Sequence, residues 1–330
     1  MTMNDAILSI AEWLRTENGF TLIAHVSPDG DTIGSSLALY GVLTAMGKRV
    51  RVVCDQRMPA TYAFLPYADR MTGIEDSKLD TQEYTNAIAV DCADMKRMGE
   101  SASLFQAASL TGNIDHHRTN PLYGNYILHD DHAAATGELI YAIWRELGAG
   151  LEDEVAQNIA ICLFTAISTD TGNFSYSNTT PETFHIAGAL LETGFDISTV
   201  NRYLYRTVPL GKARLLGFVL SNMQLFEDGK IGMALVKLED LDKLGALAED
   251  AEGTIDGIRD VASVEIAILV RQSRDGTYKA SMRSKQFADV SAIAHVYGGG
   301  GHVHAAGCTL EGEPEQIMDK LLDAAKGALA

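Results

Sequence analysis

The chain of 330 residues contains no Cys-x-x-Cys pair: its four cysteines, Cys54, Cys92, Cys162 and Cys308, lie far apart. That spacing excludes a local zinc ribbon or dithiol redox site. Each cysteine stands in or beside an apolar stretch and reads as a buried free thiol, in keeping with a reducing compartment. No apolar run reaches the ~18 residues that suggest a membrane span. The N-terminal segment, with Asp5 and Glu12, lacks the basic start and apolar centre of a secretory signal. A cytoplasmic protein without a membrane partner is expected. Lys/Arg-rich runs are also missing, and the formal net charge is −18. Between Glu239 and Asp260 eight acids face two bases, Lys243 and Arg259. Long nucleic acids are held through phosphate neutralisation on a basic track. An extended duplex is therefore a poor candidate ligand, whereas a short one held by metals and a few cations fits.

What is present is the composition of an ordinary globular protein, 46% hydrophobic and 21% charged. The length favours two domains. Residues 6–14 repeat their apolar positions at helical spacing. TLIAH (21–25), VRVVC (50–54), AIAVD (87–91) and LTGNI (110–114) read as strands, with a helix over 32–46 that Gly47 stops. Helices are predicted over 136–147 and 153–168, and from Pro181 with Thr180 as N-cap. This alternation predicts an α/β fold: an N-terminal, mostly parallel sheet with helices on both faces. Residues 1–194 are assigned to that domain and 195–222 to a helical connection. Residues 223–330 form a smaller C-terminal α/β domain, with strands over 231–237, 264–271 and 277–283 and helices over 289–296 and 314–328. A cleft between the two domains is expected.

Polar clusters stand where these strands and helices end. His25-Val-Ser-Pro-Asp29-Gly-Asp31 follows the first strand, and Pro28 and Gly30 bend the loop so that three metal-type ligands can converge. Taken alone, the same loop is equally a polar turn in which Asp31 caps the next helix. Asp91 ends AIAVD, a position suited to a metal but also to a turn. Asp115-His116-His117 follows LTGNI; adjacent histidines point in different directions, so one can bind metal while the other faces a substrate. Asp170, in STDTGNF, follows a long apolar helix and could merely close its last turn. As a set, these residues supply enough O and N donors for two hard divalent ions. Mixed carboxylate and imidazole ligation suits Mn²⁺, with Mg²⁺ or Co²⁺ as alternatives.

HVSPDGD, the VD ending at Asp91, NIDHH and STDTGNF stand in the order of the four motifs of the DHH phosphoesterase superfamily, which this chain resembles over nearly its whole length. GGGGHVHAAG (298–307) is similar to the glycine-rich signature of the DHH-associated domain. Within the superfamily the resemblance is greatest to the nano-RNase and pAp-phosphatase group, which includes standalone cyclic-dinucleotide phosphodiesterases. The superfamily's inorganic pyrophosphatases have a different second domain, which argues against that activity.

The resemblance implies roles residue by residue. One ion is held by His25, Asp29 and Asp91, and the other by Asp31, Asp91, His116 and Asp170, with Asp91 bridging. Asp115 orients the loop or an imidazole, and His117 faces the scissile phosphate. Arg118 is either a phosphate contact or a solvated surface residue. Arg283 and His302 help hold the far phosphate or nucleotide; beside them Ser284 stands at the strand end, and Gly299, Gly300 and Gly301 let backbone N–H groups approach it closely, while His304 reads as structural. The implied reaction is hydrolysis of short oligoribonucleotides or dinucleotides such as pApA to nucleoside monophosphates, through a hydroxide bridging the two ions. Phosphate removal from pAp and opening of cyclic di-AMP are alternatives that differ only at the ligand's far end. A non-catalytic nucleotide-binding regulator is the reading from another class; it would lack a ligand, and none of the signature positions is substituted. Exposed helices are compatible with a homodimer.

Overall fold

The apolar runs in the first half of the chain pair into one sheet in the computed structural model, which describes residues 2–75, 83–150, 152–251 and 253–329. Its strands are β1 (Phe20–Ile23), β2 (Val50–Cys54), β3 (Met71–Gly73), β4 (Asn86–Val90), β5 (Leu110–Asp115) and β6 (Tyr126–His129). They lie in the order β3-β2-β1-β4-β5-β6, and every neighbouring pair is parallel. β3 and β6, only three and four residues long, carry too little pattern to be read from the sequence.

Both faces of this sheet are covered, as its buried parallel strands require. Around it run α1 (Met3–Thr16), α2 (Gly30–Ala45), α3 (Ala102–Ala107), α4 (Thr136–Leu147), α5 (Asp153–Asp170), α6 (Pro181–Leu191) and α7 (Ile197–Tyr205). Alternate strand residues explain the two layers. Leu22, Val52 and Ile88 share a core with α1, α2, α4 and α5. Ile23, Val53, Ala87 and Ala89 join a smaller cluster with Leu104 and Phe105 of α3. Strand order reverses between β1 and β4, so connections diverge there and leave a crevice at the carboxyl ends of those two strands.

The chain divides into two compact units between Thr207 and Val208. Residues 195–222, expected as one helical connection, are two helices with separate allegiances. α7 buries Val200 in the first unit, whereas α8 (Leu210–Asn222) buries Leu215 and Val219 in the second. The second unit has a mixed sheet of β7 (Gln224–Phe226), β8 (Ile231–Val236), β9 (Ile266–Gln272), β10 (Tyr278–Ser284), β11 (Gly300–His302) and β12 (Ala305–Leu310). The order is β11-β12-β10-β9-β8-β7, with only β8 and β9 parallel. Helices α9 (Leu238–Leu244) and α10 (Thr254–Arg259) share one core with α8, while α11 (Val290–Val296) and α12 (Pro314–Ala328) share another. The glycine-rich segment, where the sequence pattern places no strand, is a hairpin pairing Gly301 with Ala306. Among the described residues no helix is long and apolar enough to cross a membrane.

The helix pair α2 and α5 is what sets the geometry of the site. Cβ atoms at Gly30 and Gly34 would collide with Thr169 and with the Cys162 carbonyl and Ala166. Glycine therefore lets the first turn of α2 lie against the last turn of α5. Gly34→Val should overpack this contact and cost about 1–3 kcal/mol, read as a lower first thermal transition. An unchanged transition would show that the two helices do not depend on this approach.

Candidate metal centre

Eight side chains converge on the crevice from elements far apart in sequence. His25 comes just after β1 and Asp91 just after its neighbour β4; Asp115, His116 and His117 come at the end of β5. Asp29 and Asp31 come with the start of α2, and Asp170 is the last residue of α5. Three groups have ligand atoms within 4.8 Å of one another: His25, Asp29 and Asp91; Asp31, His116 and Asp170; and Asp91, His116 and His117. Asp91 and His116 each belong to two groups, so the three are linked into one centre.

In the first group His25 Nε2 lies 3.5 Å from Asp91 Oδ2 and 3.8 Å from Asp29 Oδ2. The ring is buried, and Nδ1 is held by the Val26 carbonyl at 2.7 Å. Nε2 itself has no hydrogen-bond partner. A buried nitrogen facing two carboxylates beyond hydrogen-bond distance fits two or three donors around one cation, each about 2.1 Å from it. Asp29 is also the N-cap of α2, accepting from the Thr32 amide with its other oxygen at 3.0 Å. The capping role that the sequence offers to Asp31 falls to Asp29, and Asp31 is free to turn into the core.

In the second group His116 Nε2 stands 3.6 Å from Asp170 Oδ2, 3.7 Å from Asp31 Oδ2 and 3.8 Å from Asp91 Oδ1. Its Nδ1 is held by the Ala133 carbonyl at 3.1 Å. His117 is fixed differently: its Nδ1 bonds the fully buried Asp115 at 2.8 Å. Asp115 in turn accepts from the His117 amide and from Asn120. This gives Asp115 an orienting position and keeps it out of the ligand groups.

So many acids in one buried place demand positive charge. Burial and the neighbouring Asp91, Asp170 and Asp29 carboxylates hold Asp31 well above the usual carboxylate range. Burial, with Asp91 and Asp29 adding to it and His116 opposing, pushes Asp170 to about 6. Burial works against a charge on His25, yet the Asp29 and Asp91 carboxylates prevail and raise it to about 9. Asp91 also has φ 58°, in the left-handed region that L-residues avoid, with its amide bonded to the Ile114 carbonyl. Such strain persists where surrounding structure over-determines it and gathers at functional sites.

The other residues singled out in the sequence lie elsewhere. Arg118 is exposed and pairs with Asp131 at 3.3 Å. In the second unit Arg283 is half-buried on β10 and lines a cavity of about 340 Å³ with Arg271, Lys279 and Ser281. The Ser284 hydroxyl is buried and bonded to His304 Nδ1 at 2.8 Å. Gly299 and Gly301 are required by the hairpin itself, because Cβ atoms there would strike β12; Gly300 between them has open space beside it. His302 is exposed at the hairpin's end. Sequence reasoning missed Thr32, Ser35, Thr136, Asn120 and Asn178, the hydrogen-bonding neighbours of the charged groups. Only Thr32 and Ser35 carried a signal, being one and four residues beyond Asp31 on its own helix.

A doubly covered parallel sheet with Asp and His gathered at its switch point, placed to bind metal, is the arrangement of a metal-dependent phosphoesterase. Residues 20–167 match the DHH family, N-terminal domain, and residues 229–330 match the DHHA1 domain. The chain belongs to the DHH family. It is 35% identical to the bifunctional oligoribonuclease and PAP phosphatase NrnA of Thermus thermophilus, over 97% of this chain and 93% of that protein. With the Bacillus subtilis protein of the same name it shares 26% identity over 87% of each chain. An exopolyphosphatase-related protein from Bacteroides fragilis has the same fold, with a TM-score of 0.91 at 25% identity over 98% of this chain and 96% of that one.

Because protons occupy the charge deficit when cations are absent, metal binding should displace them. Adding Mn²⁺ to metal-free protein at pH 7 should release protons, with His25, raised to about 9, the principal donor. Calorimetry in buffers of different ionisation enthalpy measures this; heats independent of buffer would contradict the electrostatic account.

Proposed function

We propose that the chain hydrolyses short oligoribonucleotides and linear dinucleotides of the pApA type to nucleoside monophosphates, and removes phosphate from pAp, with two Mn²⁺ ions bound at the centre. The carrying observation is the linkage of three ligand groups through Asp91 and His116, which suits a pair of adjacent ions better than one. The names of the Thermus and Bacillus relatives support this choice of substrate. His25, Asp29 and Asp91 hold one ion; Asp31, Asp91, His116 and Asp170 hold the other. When bound, such ions polarise the phosphate and lower the pKa of water.

The protein's own groups do the rest. His117 stands beside Asp91 but is held by Asp115, which leaves Nε2 to carry a proton towards the leaving oxygen. The Asp115 hydrogen bond, against the pull of burial, raises the His117 pKa above its ordinary value, so the acid form persists towards neutral pH. In the second unit, Arg283, with His302 and the open backbone at Gly300, supplies nucleotide contacts, and Ser284 supports them indirectly through His304. The small number of these cations selects short ligands, in keeping with a chain of net charge −18.

A turnover panel of pAp, pApA, a pentamer RNA, cyclic di-AMP and inorganic pyrophosphate, with Mn²⁺ supplied, tests the assignment. pApA, the pentamer and pAp should turn over; activity on pyrophosphate alone would refute it. Asp91→Ala and His116→Ala should each reduce turnover to background without moving the main thermal transition. Asp115→Asn should lower kcat by about 10–100-fold and move the alkaline limb of the pH profile to lower pH, because the His117 imidazolium loses its partner. An unmoved limb would remove His117 from the proton-transfer role.

A further inference from the structure

The first turn of α4 touches the proposed ligands of one ion and bypasses the residues that belong to the other alone. The Thr136 amide donates to Asp31 Oδ2 at 2.7 Å and the Gly137 amide to Asp31 Oδ1 at 3.0 Å. The Thr136 hydroxyl donates to Asp91 Oδ1 at 2.8 Å. Just before them, the Ala133 carbonyl holds His116 Nδ1, and the Ala134 carbonyl accepts from Asn178 at 3.0 Å. The same Asn178 amide group donates to the Asp170 carbonyl at 3.1 Å. Glu138 closes the turn by accepting from the Ala134 amide at 3.1 Å. Asp31, Asp91, His116 and Asp170 are thus all tied to residues 133–138, the last through Asn178.

The local sequence makes this arrangement available. The N-cap of α4 is Ala135, which has no side chain to satisfy the free amides of the first turn. Asp31, 105 residues earlier in the chain, supplies the missing acceptor, and its charge suits the positive end of the helix. Its remaining hydrogen bond comes from Ser35, one turn along α2. Nothing in α4 reaches His25 or Asp29. The second oxygen of Asp91, on the side of His25, is bonded instead by Thr32 of α2 at 2.5 Å. The two halves of the centre therefore have different frames, α4 for one and α2 for the other.

We infer that Thr136 is a positioning residue for the ion held by Asp31, Asp91, His116 and Asp170, and that its hydroxyl and amide set the affinity of that ion independently of its neighbour. The inference rests on the two-ion reading above. A ligating carboxylate whose second contacts are fixed loses no orientation when it binds, and removing such a contact typically costs 10–100-fold in metal affinity. The hydroxyl fixes Asp91 at the edge facing His116, and the amides fix both oxygens of Asp31. The α4 frame thus separates the affinities of two adjacent sites that share a ligand.

Thr136→Val keeps the amide and the side-chain shape but removes the hydroxyl; Thr136→Ser restores the hydroxyl. Mn²⁺ binding to metal-free protein, followed by calorimetry and by the electron paramagnetic resonance signal of coupled Mn²⁺ pairs, should show two steps in the wild type. In Thr136→Val one step should weaken by about 10–100-fold, with the coupled-pair signal delayed to higher Mn²⁺ and the other step unchanged. Thr136→Ser should return the weakened step to within a few-fold of wild type. Asn178→Ala, which frees the Ala134 and Asp170 carbonyls from each other, should weaken the same step and serves if Thr136→Val does not fold. Unchanged steps, equal weakening of both, or failure of Thr136→Ser to rescue would overturn the inference. A wild-type protein that binds a single ion would instead refute the two-ion reading.

Discussion

Repulsion among buried carboxylates governs this molecule. Asp31 and Asp91 are buried, with Asp170 half-buried and Asp29 exposed beside them, and two imidazole nitrogens face the same space. No rearrangement of hydrogen bonds within the chain relieves that, because the Nδ1 atoms of His25 and His116 are already committed to backbone carbonyls. Only positive charge does, from protons or from cations. The raised pKa values of Asp31, Asp170 and His25 express one demand, which bound metal would meet at neutral pH.

The fold answers that demand through neighbour relations. His25 and Asp91 follow adjacent parallel strands at the place where the sheet order reverses. The crossovers on either side depart in opposite directions, so the space beyond those strand ends is not filled by a helix. Glycines at 30 and 34 bring α2 against α5, and with it Asp31 beside the end of the helix that carries Asp170. The supporting hydrogen bonds then divide the centre, with Thr32 and the Asp29 cap on one side and α4 on the other. Asp91, common to two of the candidate groups, receives one hydroxyl from each frame.

How far the sequence could be read depended on the length of each pattern. The extents of α4 and α12 agree with periodicity, because their amphipathic repeats run over several turns. Thr180 as N-cap with Pro181 in the first turn was equally legible, since both are local steric facts. Strands β3, β6 and β7 escaped because three or four residues cannot display alternation, and the Gly300–His302 strand because glycine carries no side-chain pattern at all. The metal-ligand candidates were visible as polar residues at the ends of apolar runs. Their helpers were not, as the role of Thr136 arises from an aspartate 105 residues away.

The sequence by itself determined the chemistry available: acids and imidazoles ending strands and helices, a family order of motifs, and the lack of any Lys/Arg-rich run. Those features are local, and chemistry of donor atoms does not depend on what lies opposite. Tertiary structure alone decided which oxygen of each aspartate faces which imidazole, and that an aspartate of α2 caps α4. These are relations between distant segments, and they exist only once strand order and helix packing have fixed distances that no spacing along the chain encodes.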